Sequence, residues 1–232
     1  MRILGFAKMT MLDFPGRVAC TVFTGGCNLR CPFCHNAGLV EGVGEEWAQE
    51  EIFAFLKKRR GLLDGVAVTG GEPMLQKDLC DFLSAVRSMG FATKVDTNGT
   101  FPDRLARVLE LGLADYVAMD IKNTREKYAQ TVGLSSFDFS PVASSISLLA
   151  QSGVDHEFRT TVVSPFHTVE DIEGIASLIP ADSRYFLQNF EDSGSLLGTG
   201  MQSVGQQTLV RMLHAARTHV PDTALRGVDE RA

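Results

Sequence analysis

The chain has 232 residues, of which 44% are hydrophobic, and its formal net charge is -6 at pH 7. It contains no run of about 18 or more apolar residues, so we expect a soluble protein that does not span a membrane. The acidic net charge disfavours a nucleic-acid substrate. The one basic run, at 57–60, is typical of a solvated helix end and does not indicate a nucleic-acid-binding patch. At this length we expect a single domain over 1–225, followed by a frayed tail at 226–232.

The hydrophobic pattern predicts strands that alternate with helices along the chain. The predicted strands are 17–24, 65–69, 92–96, 115–120, 155–163 and 184–189, and the predicted helices are 46–60, 76–89, 102–111, 140–151, 168–178 and 205–218. Thr168 and Asp171 should form a capping box at the start of one helix. Such alternation indicates a parallel α/β sheet with helices outside it, open or closed into a barrel, and six units are fewer than a full eight-fold barrel needs.

Three of the five cysteines lie close together, at Cys27, Cys31 and Cys34. Three thiolates on one short loop can bind three irons of a cubane cluster and leave the fourth iron open for chemistry. A structural zinc site is the alternative, but it needs a fourth ligand, and His35 directly after Cys34 is poorly placed to share one ion with it. Disulfides are disfavoured because the number of cysteines is odd and no signal segment precedes them, so we expect a reduced, cytoplasmic protein.

Polar residues follow the predicted strands, where the carboxyl ends of parallel strands usually carry the functional groups. Gly70 and Gly71 allow close backbone approach to a ligand, or they form an ordinary strand-to-helix turn. Asp96, Thr97 and Asp120 supply oxygen atoms that bind a ligand or cap local turns.

The cysteine motif, with Phe33 before its last cysteine, and the Gly-Gly-Glu-Pro segment at 70–73 resemble the radical S-adenosylmethionine enzymes. The segments that are similar, more narrowly, to the activating enzymes of glycyl radical proteins are 12–17, 34–36, 95–99 and 120–122. The short length, the opening at 8–16 and the missing ferredoxin-type insert are most similar to activators of anaerobic ribonucleotide reductase. The resemblance covers most of the chain and implies a partial (β/α)6 barrel.

The resemblance also implies the cofactors and the residues that bind them. A 4Fe–4S cluster would be held by the three cysteines of the motif, and S-adenosylmethionine would bind the fourth iron. A monovalent cation near the cofactor would be held by Asp96 and Asp120. The remaining cofactor-binding residues would be Phe33 at the adenine, Gly70, Gly71 and Glu72 near the methionyl amino group, and Lys122 at the carboxylate or ribose.

The implied reaction is reductive cleavage of S-adenosylmethionine, followed by hydrogen abstraction from a glycine of a partner protein. The expected partner is anaerobic ribonucleotide reductase, and the expected electron donor is a flavodoxin or ferredoxin. Asp13 resembles the activator residue that meets the glycine-bearing loop, although an aspartate there also caps a turn. The alternatives are a radical enzyme that acts on a small molecule and an activase of another glycyl radical enzyme, such as pyruvate formate-lyase.

One departure counts against pyruvate formate-lyase as the partner. Its activators carry a cofactor-contacting histidine near the end of the sixth strand, where this chain has Phe190. Gln188 or Asn189 could substitute for that histidine.

Overall fold

The computed structural model describes residues 1–192 and 194–227. The chain divides into two compact units, one formed by Met1–Asn28, Gly38–Thr97 and Phe101–Ala118, and the other by Leu29–Ala37, Asn98–Thr100 and the chain from Met119 onward. Within the described residues, no helix is long and apolar enough to cross a membrane. The predicted single domain over 1–225 stays a prediction.

The first unit contains an antiparallel edge strand followed by parallel strands. Its strands are β1 (Ile3–Thr10), β2 (Ala19–Thr24), β3 (Gly65–Gly70) and β4 (Ala92–Thr97), and β5 (Tyr116–Asp120) continues into the second unit. β1 pairs antiparallel with β2, whereas β2–β3 and β3–β4 are parallel pairs. Its helices are α1 (Ala37–Glu41), whose first residue belongs to the second unit, α2 (Gln49–Lys58), α3 (Leu79–Ser88) and α4 (Pro102–Glu110), with a 3-10 turn at Pro73–Leu75.

One face of the first unit's sheet is built in layers. Phe14 packs against Ala19 and Tyr116 at the amino-terminal ends of the strands. In the next layer the strand register aligns Thr21 with Ala67, and Ala67 with Lys94. Because side chains alternate along a strand, these three residues share this face.

The second unit continues the alternation with parallel strands. Its helices are α5 (Tyr128–Thr131), α6 (Ser140–Ser152), α7 (Val169–Ala176) and α8 (Gln206–Arg217), and its strands are β6 (Asp155–Val162), β7 (Tyr185–Asn189) and β8 (Thr223–Arg226). β7 pairs in parallel with both β6 and β8. Arg226, where the predicted tail begins, is the last residue of β8, and 228–232 lie outside the described residues.

Each of the six predicted strands and six predicted helices corresponds to an observed element, with ends that shift by up to three residues. The capping box is confirmed: Thr168 N donates to the Asp171 carboxylate, and Asp171 N donates to Thr168 Oγ1. The strands β1 and β8 and the short helices α1 and α5 were not predicted. β8 has only four residues, and β1 buries only Ile3, so neither shows a clear period.

Candidate functional site

In the first unit, the ends of β2 and β3 are joined directly behind Cys27. Gly71 N donates to Thr24 O at 2.8 Å, and Glu72 N donates to Gly26 O at 2.8 Å. These two bonds set the backbone path that leads from β2 into the first cysteine.

Glycine is required by this close approach both at the last position of β3 and directly after it. A Cβ at Gly71 would lie 2.0 Å from Gly26 O, and a Cβ at Gly70 would lie 2.3 Å from Thr24 N. Gly70 also has φ +119°, a conformation that favours glycine. The close approach that we expected toward a ligand is thus made toward the chain's own backbone at the segment that carries Cys27.

Glu72 is almost fully buried, with 1% of its surface exposed. Its Oε1 accepts hydrogen bonds from Met74 N at 3.0 Å and from Thr97 Oγ1 at 2.8 Å. The carboxylate therefore caps the 3-10 turn and links the ends of β3 and β4. Glu72 and Thr97, both predicted at the site, are brought together.

Asp96, predicted as a cation ligand, forms an ion pair with Lys94 of the same strand. The Lys94 side chain is 2% exposed and that of Asp96 is 16% exposed. Sequence reasoning assigned no role to Lys94. The signal that could have identified it is the spacing of two residues, which places a lysine and an aspartate on one face of a strand.

In the second unit, the rest of the cysteine loop is anchored by backbone hydrogen bonds. Cys34 N donates to Cys31 O at 3.0 Å, which closes a turn between the two thiols. Arg30 N donates to Val132 O at 2.9 Å, and Gly198 N donates to Pro32 O at 2.8 Å. The turn is therefore held by segments that follow α5 and β7.

The aromatic residues of this loop pack inside the second unit. The buried Phe33 ring lies 6.0 Å from the ring of Phe166, and His35 stacks on Phe190 at 5.3 Å between centroids. The phenylalanine that replaces the expected histidine thus supports the cysteine loop.

Gln188 and Asn189, the two suggested substitutes for that histidine, differ in their surroundings. Asn189 Nδ2 donates to Val204 O at 3.0 Å, and its Oδ1 accepts from Val204 N at 3.1 Å. Both residues line a cavity of about 390 Å³ that His35 and Arg226 also line, and Gln188 is the more exposed of the two. Gln188 is therefore the better placed of the two to meet a ligand.

Asp120 and Lys122 lie next to each other at the end of β5, with Lys122 Nζ 3.0 Å from Asp120 Oδ2. Arg159 Nε donates to Asp120 Oδ1 at 2.8 Å. Burial opposes ionisation of Asp120, but Arg159 and Lys122 hold the pKa of its carboxyl well below its usual range. Burial likewise opposes the charge of Lys122, yet Asp120 and then Cys31 raise its pKa above the usual lysine value. Lys122 is therefore a fixed cation within electrostatic reach of one predicted iron ligand.

Arg159 belongs to a network of ion pairs that was not predicted from the sequence. It lies 3.9 Å from Glu157, and Arg226 binds both oxygens of Glu157, at 2.7 and 2.8 Å. Glu157 and Arg159 are two residues apart and lie on the same face of β6, and Arg226 is the last residue of β8. This network of ion pairs holds the Arg159 side chain toward Asp120.

Asp13 lies away from the predicted cofactor residues of the first unit. Its Oδ2 accepts a hydrogen bond from Thr21 Oγ1 at 2.5 Å, and its N donates to Thr10 Oγ1 at 3.2 Å. Asp13 therefore contacts the first half of β2, whereas Cys27 follows the carboxyl end of that strand. This location favours a role in the fold, and partner binding by Asp13 stays a prediction.

A cubane cluster and a single metal ion make different demands on the thiols. All five cysteines are free, and a backbone hydrogen bond closes the turn from Cys31 to Cys34. In the part of the chain that the structure describes, no group of three or more His, Cys, Asp or Glu side chains is placed to share one ion. A cubane cluster does not need such a group, because each thiolate binds a different iron.

Comparison with known proteins identifies the family. Residues 21–179 match the family described as the Radical SAM superfamily. The chain belongs to the radical S-adenosylmethionine superfamily. It is therefore an enzyme, and the family implies a 4Fe–4S cluster and S-adenosylmethionine as cofactors.

The relatives indicate the branch of this superfamily. A protein of Methanocaldococcus jannaschii whose name assigns it to the glycyl-radical enzyme activating enzymes is 32% identical over 193 residues, which cover 82% of this chain and 80% of that protein. A pyruvate formate-lyase-activating enzyme of Listeria monocytogenes is 34% identical over 134 residues, covering 52% of this chain and 53% of that enzyme. The chain thus spans most of the first relative and about half of the second.

The fold of this radical SAM enzyme is shared with solved structures. SuiB of Streptococcus suis, bound to its precursor peptide SuiA, superposes with a TM-score of 0.67 at 14% identity. The match covers 90% of this chain and 48% of that one. The predicted α/β fold, a parallel sheet consistent with a partial barrel, is confirmed.

Proposed function

We propose that this radical SAM enzyme activates a glycyl radical protein, by removing a hydrogen atom from a glycine of that partner. The observation that carries the proposal is the similarity, over 82% of the chain, to a protein named for this class of activating enzyme, together with the three-thiol loop. When bound, the cluster and S-adenosylmethionine supply the radical chemistry. The chain binds and orients them.

The chain's own residues divide this task between the two units. In the first unit, the joined ends of β2 and β3 present Cys27, and Glu72 holds the following turn. In the second unit, Cys31 and Cys34 lie on an anchored turn near the Lys122 cation. We assign the three cysteines to the cluster, and Lys122 to the carboxylate or ribose of S-adenosylmethionine, for which an ammonium is a suitable donor.

We further propose anaerobic ribonucleotide reductase as the partner, with a flavodoxin or ferredoxin as electron donor and a cytoplasmic location. The segment at 8–16 and Phe190 in place of the histidine support this partner over pyruvate formate-lyase. The free cysteines support a reducing compartment. The similarity to pyruvate formate-lyase activators keeps that enzyme as the second candidate.

The test is installation of a glycyl radical under anaerobic conditions. We expect the reconstituted, reduced protein with S-adenosylmethionine to produce a carbon-centred EPR signal on anaerobic ribonucleotide reductase, and none when the partner's glycine is replaced by alanine. A signal only on pyruvate formate-lyase would reassign the partner. Cleavage of S-adenosylmethionine without a signal on any glycyl radical protein would favour a small-molecule substrate.

The role of Asp13 can be separated from its role in the fold by a matched pair of variants. Asp13→Ala and Thr21→Val remove the same hydrogen bond from opposite sides, so we expect similar losses of stability, about 1–2 kcal/mol each by thermal unfolding. Partner binding by Asp13 predicts an additional loss of radical installation in Asp13→Ala alone. Equal installation by the two variants would assign Asp13 to the fold only.

A further inference from the structure

The ion pair between Lys94 and Asp96 supplies a positive charge at the Asp96 carboxylate. Resemblance predicts a monovalent cation at Asp96 and Asp120, and the residues present do not fit that expectation. Asp96 is paired with the Lys94 ammonium, and Asp120 with Arg159 and Lys122. Each carboxylate already has a positive partner from its own unit.

We propose that the Lys94 ammonium takes the place of the monovalent cation at Asp96, so that this chain binds S-adenosylmethionine without such a cation. The inference rests on the superfamily assignment and not on the identity of the partner protein. Lys94 is a positioning residue in this account: it holds the Asp96 carboxylate.

The geometry of β4 favours the pairing. Lys94 and Asp96 are two residues apart, about 6.6 Å along an extended strand, and they point to the same face. The register neighbours of Lys94 on this face are Ala67 and, one strand further, Thr21, both small and buried. Small neighbours leave room for the long lysine stem to lie along the face toward Asp96.

Burial explains why Lys94 cannot simply turn away. With 2% of its side chain exposed, the ammonium has almost no access to water, and an unpaired buried charge is strongly unfavourable. Lys94 therefore requires the charge of Asp96. A second cation at the same carboxylate would be repelled by the ammonium, because like charges at a few ångströms interact strongly where water is excluded.

The test compares cations at constant ionic strength. We expect the affinity of the reconstituted protein for S-adenosylmethionine, followed by EPR of the reduced cluster, to change by less than about twofold when KCl or NaCl is replaced by choline chloride. Lys94→Met keeps the length of the side chain but removes its charge. Its affinity should fall at least about fivefold in choline chloride and recover in KCl or NaCl, the size of a typical linkage between two ligands.

Three comparisons keep the inference open to refutation. Lys94→Arg retains the charge and should stay cation-independent. Lys127→Met removes a lysine that also pairs with an aspartate, Asp171 at 2.8 Å, but is 46% exposed, and it should likewise stay cation-independent. A parent protein whose affinity depends on KCl or NaCl would overturn the proposal, even if Lys94→Met does not fold.

A second readout does not use S-adenosylmethionine. The melting temperature of the reconstituted Lys94→Met protein should rise when KCl replaces choline chloride, whereas that of the parent should not. An equal response of both proteins would contradict the proposal. Neither readout involves a glycyl radical, so the proposed partner can fail while this inference stands.

Discussion

Replacing Cys27, Cys31 or Cys34 by alanine should remove the iron–sulfur cluster and abolish cleavage of S-adenosylmethionine. Each thiolate supplies the protein ligand of one iron, so loss of any one leaves a second iron open and the cluster unsupported. Iron content after anaerobic reconstitution should fall from about four per chain toward zero. Release of 5'-deoxyadenosine should fall with it.

The other two cysteines provide the matched controls. Cys20 is fully buried on β2, and burial raises the pKa of its thiol to about 12, so it is a small core residue and not a thiolate ligand. Burial also raises the pKa of Cys80, on α3. Cys20→Ala and Cys80→Ala should keep both the cluster and cofactor cleavage. Full activity in any of the first three variants, or loss of iron in either control, would contradict the cluster assignment.

Gly71→Ala should prevent cluster assembly although Gly71 is not itself a predicted iron ligand. Its new Cβ would meet Gly26 O at 2.0 Å, which is backbone and cannot turn aside, and Cys27 N lies only 3.3 Å away. The strands must separate behind Cys27, which displaces the first thiol. We expect a loss of stability of about 1–3 kcal/mol from overpacking. We also expect most of the iron to be lost.

Gly205→Ala is the control for this substitution. Among the described residues, apart from its chain neighbours, a Cβ at Gly205 would meet no heavy atom within 4 Å. Its φ of -63° is one that alanine adopts without strain. Iron content and thermal unfolding of both variants measure the difference. Normal cluster content in Gly71→Ala, with cofactor binding lost, would show that the glycine approaches the ligand and not Gly26.

The sequence predicted those features that depend on local periodicity and spacing. Helix α3, whose buried residues are Leu79, Phe82, Leu83 and Val86, was found because one of its faces is apolar. Edge strand β1 was missed, since it is mostly half-buried, and Gly5 and Lys8 interrupt its pattern. Spacing alone also sufficed for the cysteine motif, because its chemistry depends on neighbours along the chain.

The remaining features depend on contacts between distant segments. A sequence shows a lysine at 94 but not that the neighbouring strands offer Ala67 and Thr21, which leave it room to pair with Asp96. It likewise predicts a turn at Asp13 without showing that the turn folds back along β2. The pair Gly70 and Gly71 was recognised, but the atoms that they approach belong to the end of β2 and to the residues that follow it.

The anchoring of the cysteine loop has a consequence for biosynthesis. The carbonyl of Val132 and the amide of Gly198, which bind Arg30 and Pro32, are made long after the ribosome has added Cys34. The conformational entropy of the loop is therefore lost only when the second half of the chain folds. A nascent chain carries all three thiols before it has the structure that arranges them, so iron inserted at that stage would meet a disordered loop. In the folded protein the cysteine loop is already ordered, so binding of the cluster involves no further loss of the loop's conformational entropy.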